Sequence, residues 1–241
     1  MAEFKYVGSE LDLFATVHNW KSYWSDQLRP YIAGDTLEVG AGIGSNTAFL
    51  DRGESERWVC LEPDGQLFSQ LVDNLAQAKT QRPRETVCGT LAALSVEQKF
   101  DTILYIDVLE HIENDRQELE TAADFLRPGG RVIVLSPAHQ RLFTPFDGAI
   151  GHFRRYDRGM LEGISPRGLR RESVFYLDSA GLLLSTANLV LLRQSMPTKA
   201  QLQVWDRWVI PVSRVMDRVF FHSVGKSIVG VWRRAEAAGG D

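Results

Sequence analysis

The sequence lacks several features that would direct it to particular classes of protein. It has only two cysteines in 241 residues, Cys60 and Cys88, which are too few for a disulfide-stapled secreted scaffold. Both fall in predicted core strands, so we expect two buried free thiols, as in a protein of the reducing cytoplasm. A surplus of positive charge is also missing, since 27 basic and 31 acidic residues give a net charge of −4. The sequence therefore disfavours nucleic acid as the main partner, because phosphate binding needs a basic field.

Long hydrophobic runs are absent as well. The longest apolar stretch, residues 181–192, is much shorter than a membrane span and includes serine, threonine and asparagine. Residues 1–5 lack the basic-then-apolar pattern of a signal peptide. With no internal repeat and no second glycine loop, we expect a single cytoplasmic domain over residues 1–241. A peripheral contact with a membrane surface stays open.

Three glycines at alternate positions are the most informative feature that is present. Residues 37–39 have the pattern of a strand end, and Gly40, Gly42 and Gly44 follow directly. Glycine allows a tight turn and brings the backbone close to a ligand. Residues 45–50 then have the pattern of a helix start. A strand, a glycine turn and a helix in this order predict a nucleotide-type pocket at the carboxyl edge of a sheet.

The spacing of the glycines and the acid before them narrow the class of ligand that this loop can bind. Dinucleotide loops have the spacing G-x-G-x-x-G, whereas this chain has G-x-G-x-G preceded by Glu38. A carboxylate repels a pyrophosphate but attracts a sulfonium or an amino group. The pattern E-x-G-x-G-x-G resembles the first motif of class I S-adenosylmethionine-dependent methyltransferases.

Later segments carry the same resemblance in the same order. Glu62 follows a short apolar run 24 positions after Glu38, and residues 100–106 lead into Asp107 and Val108, which resemble the fourth motif of the family. The phrase LRPGGRVIVLSP at residues 126–137 is similar to its fifth strand. The resemblance implies an α/β fold: a doubly wound, Rossmann-like, mostly parallel sheet of seven strands with a helical insert between the last two.

The resemblance also implies S-adenosyl-L-methionine as the cofactor and no metal. Glu62 is expected to hold the ribose, and Asp107 and Val108 to lie beneath the sulfonium. Relatives often bind the adenine amino group with an acid where this chain has Thr90, so its hydroxyl or a backbone carbonyl is expected to replace that acceptor. The predicted cofactor-binding residues are Glu38, Gly40, Ala41, Gly42, Gly44, Ser45, Glu62, Pro63, Thr90, Leu91, Asp107 and Val108.

A long irregular segment after the fifth strand, residues 137–160, is the predicted acceptor loop. Runs of this length without apolar periodicity are uncommon in a compact domain unless they are functional. If the acceptor is a hydroxyl or an ammonium it must lose a proton, and His139 or His152 is the candidate base, oriented by Asp147. Each histidine alone also fits a structural role. His111 is expected to pack beside the cofactor at a helix start.

The same loop carries the motif S-P-A-H followed by G-H-x-R-R-Y, which resembles a bacterial subgroup of the family that often lies near envelope or polysaccharide genes. Arg154 and Tyr156 are predicted to bind substrate. At least one of Arg154 and Arg155 is expected instead to pair with an acid such as Asp147 and hold the loop.

Two helical regions complete the predicted acceptor site around the cofactor-binding core of residues 34–136. Residues 1–33 form an aromatic-rich N-terminal lid in which most side chains are expected to face the core, while Trp20 or Tyr23 approaches the substrate. Residues 178–225 form the helical insert, with a kink predicted at Pro211. Its polar face is consistent with sheet-edge packing, an acceptor-pocket wall, a dimer surface or an amphipathic patch for a lipid-linked substrate.

The sequence thus predicts an enzyme that moves a methyl group to an oxygen or nitrogen atom of a small or medium-sized metabolite, such as a secondary metabolite or an envelope-related sugar or lipid. The alternative is a non-catalytic S-adenosylmethionine-binding regulatory module. An RNA methyltransferase is disfavoured by the acidity of the chain. A monomer and a homodimer both stay open.

Overall fold

A central sheet of seven strands organises the protein. The structure is a computed structural model, and it describes residues 6, 14–51, 53, 55–78, 84–187 and 198–236. The strands are β1 Thr36–Val39, β2 Trp58–Glu62, β3 Glu85–Cys88, β4 Phe100–Ile106, β5 Leu126–Pro137, β6 Leu169–Leu177 and β7 Ser227–Arg234. Their order is β3-β2-β1-β4-β5-β7-β6, and β7 runs antiparallel to both of its neighbours. This confirms the predicted mostly parallel, doubly wound sheet.

Helices lie between the strands and cover both faces of the sheet. The α-helices are α1 His18–Leu28, α2 Thr47–Leu50, α3 Gly65–Gln77, α4 Asp115–Asp124, α5 Pro145–Ala149, α6 Arg158–Gly163, α7 Ser179–Ala187, α8 Lys199–Val204 and α9 Ile210–Val219. Leu37 and Ile103 pack in the core of one face, while Cys60 and Leu104 pack with Trp24 of α1 in the core of the other. Burial on both faces explains why the central strands are apolar at nearly every position. Among the described residues, no helix is long and apolar enough to cross a membrane.

The cysteine prediction is wrong for one of the two thiols. Cys60 lies in β2 and is buried, but Cys88 is exposed. The reason is the place of β3 at the edge of the sheet, where its side chains are only partly covered. The apolar pattern of a short strand does not reveal whether the strand is central or at an edge.

The helical insert between β6 and β7 is built around a wide turn. A π-helical turn, Trp205–Val209, joins α8 to α9, and the amide of Ile210 donates to the carbonyl of Trp205 five residues earlier. Pro211 has no amide hydrogen, and its ring would clash with a carbonyl four residues before it in a regular helix. The predicted kink therefore takes the form of a π-turn that ends directly before Pro211.

The insert supplies the cap of the N-terminal helix. The carboxylate of Asp206 accepts hydrogen bonds from the backbone amides of His18 at 3.1 Å, Asn19 at 3.1 Å and Trp20 at 2.8 Å. These are amides that the first turn of α1 leaves without helical partners. The negative charge also lies at the positive end of the helix dipole. A residue 186 positions away in the chain thus stabilises the start of α1.

A second buried carboxylate joins the same two regions. Asp217 of α9 accepts a hydrogen bond from the hydroxyl of Tyr23 at 2.7 Å and from the amides of Asp178 at 2.7 Å and Ser179 at 2.9 Å. Asp178 in turn accepts from Nε1 of Trp205 at 2.9 Å. The N-terminal helix and the insert are therefore connected by buried, fully bonded acids.

Glu38 of β1 is a buried acid at the foot of the glycine loop. Its side chain is 2% exposed, and Oε2 accepts a hydrogen bond from Nε1 of Trp58 at 3.0 Å. Burial raises the pKa of Glu38 from 4.5 to about 7, although hydrogen bonds from Thr47 and Trp58 favour the charged form. This carboxyl group titrates near neutral pH inside the core.

Replacing Asp206 tests the cap of α1. Asp206→Ala leaves three amides without their acceptor, so we expect the free energy of unfolding to fall by about 1–2 kcal/mol, and Asp206→Asn to lose less because one oxygen remains. Chemical denaturation provides the measurement. Asp73→Ala, at an exposed position of α3, is the matched control and is expected to leave stability unchanged. Equal stability of Asp206→Ala and the wild type would contradict the cap.

The raised pKa of Glu38 predicts a pH dependence of stability. The native carboxyl keeps its proton up to about pH 7, whereas the unfolded one loses it near 4.5, so the native state binds more protons between these values. The contribution is full below pH 4.5 and is lost as the pH rises through 7, by about 3 kcal/mol. We expect Glu38→Gln to reduce the fall in unfolding free energy from about pH 5 to about pH 8. Identical pH profiles for wild type and variant would refute this assignment.

Candidate functional site

A cavity of about 1030 Å³ opens at the carboxyl ends of β1 and β4. One wall is the glycine loop with Asp107, and the opposite walls come from α1, the loop after β5 and the insert. The volume lies at the upper end of the range of roughly 300–1,000 Å³ that is typical of ligand pockets. The cavity therefore has room for a cofactor together with an acceptor.

The glycine loop has the backbone that its sequence predicts. Gly40, Gly42 and Gly44 have φ angles of 67°, 57° and 77°, in the left-handed region that favours glycine. A Cβ atom on Gly40 would lie 2.6 Å from Cγ2 of Val108, and one on Gly44 would lie 2.9 Å from Cδ1 of Leu71. Larger residues at these positions would push the loop away from β4 and α3.

Glu62 fastens this loop to the end of β2. Its Oε2 accepts from the amide of Gly42 at 2.8 Å, and its Oε1 accepts from the amide of Asp64 at 2.9 Å. Beside it, the amide of Ala41 donates to the carbonyl of Leu61 at 2.9 Å. Burial raises the pKa of Glu62, against the two backbone donors that stabilise its charge. The acid predicted to hold a ribose thus also shapes the loop.

Part of the predicted cofactor set lies away from this cavity. Glu62 ends β2 and Pro63 follows it, while Thr90 and Leu91 come shortly after β3. The amide of Gly89 donates a hydrogen bond to the carbonyl of Glu62 at 2.9 Å and so connects the ends of these two strands. These four predicted residues do not contribute to the cavity wall among the described residues, and neither does Glu38. Gly44 and Val108 are also outside it. The predicted cofactor residues that line the described cavity are Gly40, Ala41, Gly42, Ser45 and Asp107.

Asp107 is an acidic group of the cavity wall, next to the glycine loop. It follows β4 with a φ of 55°, and its amide donates to the carbonyl of Leu135 at 2.8 Å. Burial raises the pKa of Asp107 to about 6, opposed by the charges of His152, Lys21 and Lys226. Its carboxylate is an acceptor for a cationic ligand group.

Two lysines in the cavity wall, the buried Lys21 and the half-buried Lys226, were missed from the sequence. Nζ of Lys21 donates to Oγ of Ser45 at 2.8 Å, and burial lowers the pKa of Lys21 to about 8 despite the attraction of Asp107. Nζ of Lys226 lies 4.9 Å from the ring centroid of Trp205, and burial lowers its pKa as well. The position of Lys21 among the aromatic residues of α1 could have indicated its place in the cavity. Lys226, directly before β7, has no comparable feature in the sequence around it.

The acceptor loop is organised by Asp147. Its carboxylate accepts from Thr144 at 2.7 Å and from Nε of Arg155 at 2.8 Å, and Oδ1 lies 3.2 Å from Nδ1 of His152. Burial alone would raise the pKa of Asp147, but the bonds from His152 and Arg155 hold it well below its usual range. The structure therefore brings His152 and Asp147 together at the cavity, with Arg155 beside them.

His139 lies outside the described cavity wall and does not have the place expected of a base. Its Nε2 is 2.9 Å from the carbonyl oxygen of Gly225, and its ring stacks on Tyr176 with centroids 5.3 Å apart. The backbone turns at a φ of 65° here and directs the ring toward the insert side of the sheet edge. Its contacts are those of a packed structural residue.

Arg154 and Tyr156 likewise bind the protein itself. Arg154 lies 2.6 Å from Oδ2 of Asp115 and donates to the carbonyl of Ile112, while the buried hydroxyl of Tyr156 donates to Asp115 at 2.7 Å. These bonds tie the loop to the start of α4. Arg155, the neighbouring residue, lines the cavity instead.

Trp20 and Tyr23, the two aromatic residues of the N-terminal lid that were predicted to approach the substrate, differ in position. Trp20 lines the cavity, and its ring centroid lies 5.7 Å from that of Trp205. Tyr23 does not contribute to the described wall, because its hydroxyl is committed to Asp217. Trp20 is thus the member of the predicted pair that is placed to meet a ligand.

Comparison with known proteins agrees with this geometry. Residues 37–132 match a family model described as a methyltransferase domain. A curated relative, the mitochondrial ubiquinone biosynthesis O-methyltransferase of Dictyostelium discoideum, is 23% identical over 109 residues. That match covers 42% of this chain and 34% of the relative, so the chain matches about a third of the length of that protein.

Solved structures share the fold over most of the chain. An S-adenosylmethionine-dependent methyltransferase from Clostridium acetobutylicum superimposes with a TM-score of 0.59 and 12% identity, covering 94% of this chain and 95% of that one. The N-methyltransferase NodS from Bradyrhizobium japonicum, solved with S-adenosyl-l-homocysteine, gives 0.57 and 12% and covers 92% and 89%. Residues 37–132 thus match a methyltransferase domain, and the chain shares its fold with these solved methyltransferases.

Proposed function

We propose that this protein transfers the methyl group of S-adenosylmethionine to an oxygen or nitrogen atom of a small or medium-sized acceptor. The observation that carries the proposal is a single cavity with two kinds of wall. The glycine loop and Asp107 form one side, and His152, Asp147 and Arg155 form the other. Such a cavity can hold a methyl donor and an acceptor next to each other. The acceptor atom can then approach the methyl group in line with the carbon–sulfur bond that breaks.

The residues of the first wall fit the cofactor. The left-handed glycines leave no side chain between the loop backbone and a ligand, and Asp107 presents a carboxylate to a cationic group. Lys21 is held on Ser45, so it stabilises the loop from the lid side. The cofactor supplies an activated methyl group on a sulfonium; the protein supplies position and the exclusion of water.

His152 is the residue of the second wall that is placed to accept a proton from the acceptor. Asp147 is charged and holds Nδ1, so Nε2 is the ring nitrogen with a free lone pair. The pair of Arg155 and Asp147 fixes the ring in this orientation. Proton removal of this kind matters for a hydroxyl or an ammonium acceptor.

The insert side of the cavity favours an acceptor with an apolar part. Leu184 and Val204 line the cavity and are also 51% and 56% exposed. The exposed apolar side chains continue along the insert at Trp208, Val212 and Val215. Such a surface fits an envelope-related lipid or a glycolipid better than a free sugar.

Calorimetric titration with S-adenosylmethionine and its demethylated product tests the cofactor site. We expect micromolar binding to the wild type and at least tenfold weaker binding to Gly40→Ala, about 1.4 kcal/mol, because the added methyl collides with Val108. Gly163→Ala is the matched control, since nothing lies within 4 Å of its Cβ position. Thermal unfolding checks that each variant is folded. A wild type that binds neither ligand would sink the cofactor assignment.

Release of S-adenosylhomocysteine, measured by mass spectrometry over a panel of hydroxyl and amine acceptors, tests the reaction. We expect His152→Asn to lower kcat by about 10²–10⁴ while cofactor affinity stays the same. His139→Asn is the control and keeps its kcat, because asparagine tolerates the left-handed backbone there. Tight cofactor binding without turnover on any acceptor would favour the regulatory module instead.

A further inference from the structure

Three side chains that commonly bind metal ions meet at the floor of the cavity. One ligand atom each of Glu110, His111 and His152 lies within 4.8 Å of the others. The two imidazole rings are perpendicular, with centroids 4.5 Å apart. All three residues line the cavity. The residues Glu110 and His111 sit on the turn after β4, and His152 comes from the acceptor loop 41 positions later.

One polar atom of each of the three side chains makes a hydrogen bond to a neighbouring protein group. Ser136 donates to Oε2 of Glu110 at 2.9 Å, and Asp147 holds Nδ1 of His152. His111 makes a hydrogen bond to the backbone of Gly151. Metal-binding histidines are typically oriented in this way, by a carboxylate or a backbone carbonyl on the other ring nitrogen.

The remaining oxygen of Glu110 has no hydrogen-bond donor among the described residues. Oε1 is buried and lies 4.0 Å from Nε2 of His152. The side chain is fully buried. An unpaired carboxylate oxygen in this environment is costly unless a proton or a cation neutralises it.

The surrounding charges leave room for a cation. Asp107 lies three residues before Glu110 and is another acid of the cavity wall. Arg155 is the neighbouring cation, and Asp147 neutralises it.

We propose that Glu110, His111 and His152 bind one divalent transition-metal ion, with a free coordination position toward the cavity. Two imidazoles and one carboxylate are a ligand set suited to Zn²⁺, whose bonds to them are about 2.0–2.2 Å long. Mg²⁺ prefers oxygen ligands and fits this set poorly. No metal was expected from the sequence, in which the three residues lie in two distant segments.

A cation here also narrows the chemical class of the methyl acceptor, a consequence that rests on the proposed function. It occupies the ring nitrogen of His152 that accepts a proton in the metal-free site. A bound cation lowers the pKa of an acceptor hydroxyl that ligates it, so the hydroxyl can pass its proton to water without His152 as the base. The acceptor is then a hydroxyl that can reach the ion, rather than an amine.

Metal titration of the full chain, stripped with a chelator, tests the site. We expect one Zn²⁺ per chain by calorimetry, with Mg²⁺ bound at least about 100-fold more weakly. Co²⁺ in the same site is expected to give visible absorption bands that Zn²⁺ abolishes. Glu110→Gln and His111→Gln are each expected to lose Zn²⁺ affinity by about 100-fold or more, while His18→Gln, an exposed histidine, keeps it.

Two outcomes would overturn the site. The first is a stripped wild type with no stoichiometric Zn²⁺ or Co²⁺ binding, which assigns a proton to Oε1 of Glu110. The second is unchanged affinity in both folded variants, which places the ion elsewhere. Calorimetry with S-adenosylmethionine on the same stripped sample keeps the two proposals apart. Cofactor binding without metal binding refutes the ion alone, and metal binding without cofactor binding refutes the proposed function.

Discussion

The carboxylate of Asp206 beneath the first turn of α1 is the interaction on which the cavity depends. The helix bears Trp20 and Lys21, two residues of the wall, and its own sequence offers no capping side chain at Val17. A charged acceptor from the insert satisfies three amides at once, which a neutral cap cannot do. The lid and the insert are therefore one structural unit, and the shape of the acceptor space is set by their joint position over the sheet.

Below that unit, the sheet concentrates acids at the ends of its strands. Glu38 lies in β1, Glu62 ends β2, and Asp107 and Glu110 follow β4; burial raises the pKa of each. Burying ionisable groups costs free energy, and a cluster of them at one edge of a sheet is typical of a functional site. The two lysines of the wall partly balance them. A cationic ligand bound in this cavity favours the charged forms of these acids and lowers their pKa.

The fold was predictable because its signals are local. The glycine loop, the short apolar strands and the phrase at residues 126–137, which is β5, can each be found within a few residues. Side-chain directions in the acceptor loop were not predictable. His139 and Arg154 are within the same motif as His152 and Arg155, yet only the latter two line the described cavity. A left-handed residue or a bond to Asp115 decides which way each points, and the sequence motif does not encode either.

The cap of α1 also has a consequence for the order in which the protein matures. The helix leaves the ribosome long before Asp206 has been synthesised, and the two are 186 positions apart. Strands β1 to β4 pair with one another, and β5 pairs with β4 and later with β7. Before the insert follows, the apolar side of α1 with Trp20 and Trp24 lacks part of its cover and is a surface for chaperones or for aggregation. The cap of α1 therefore forms only after Asp206 has been synthesised.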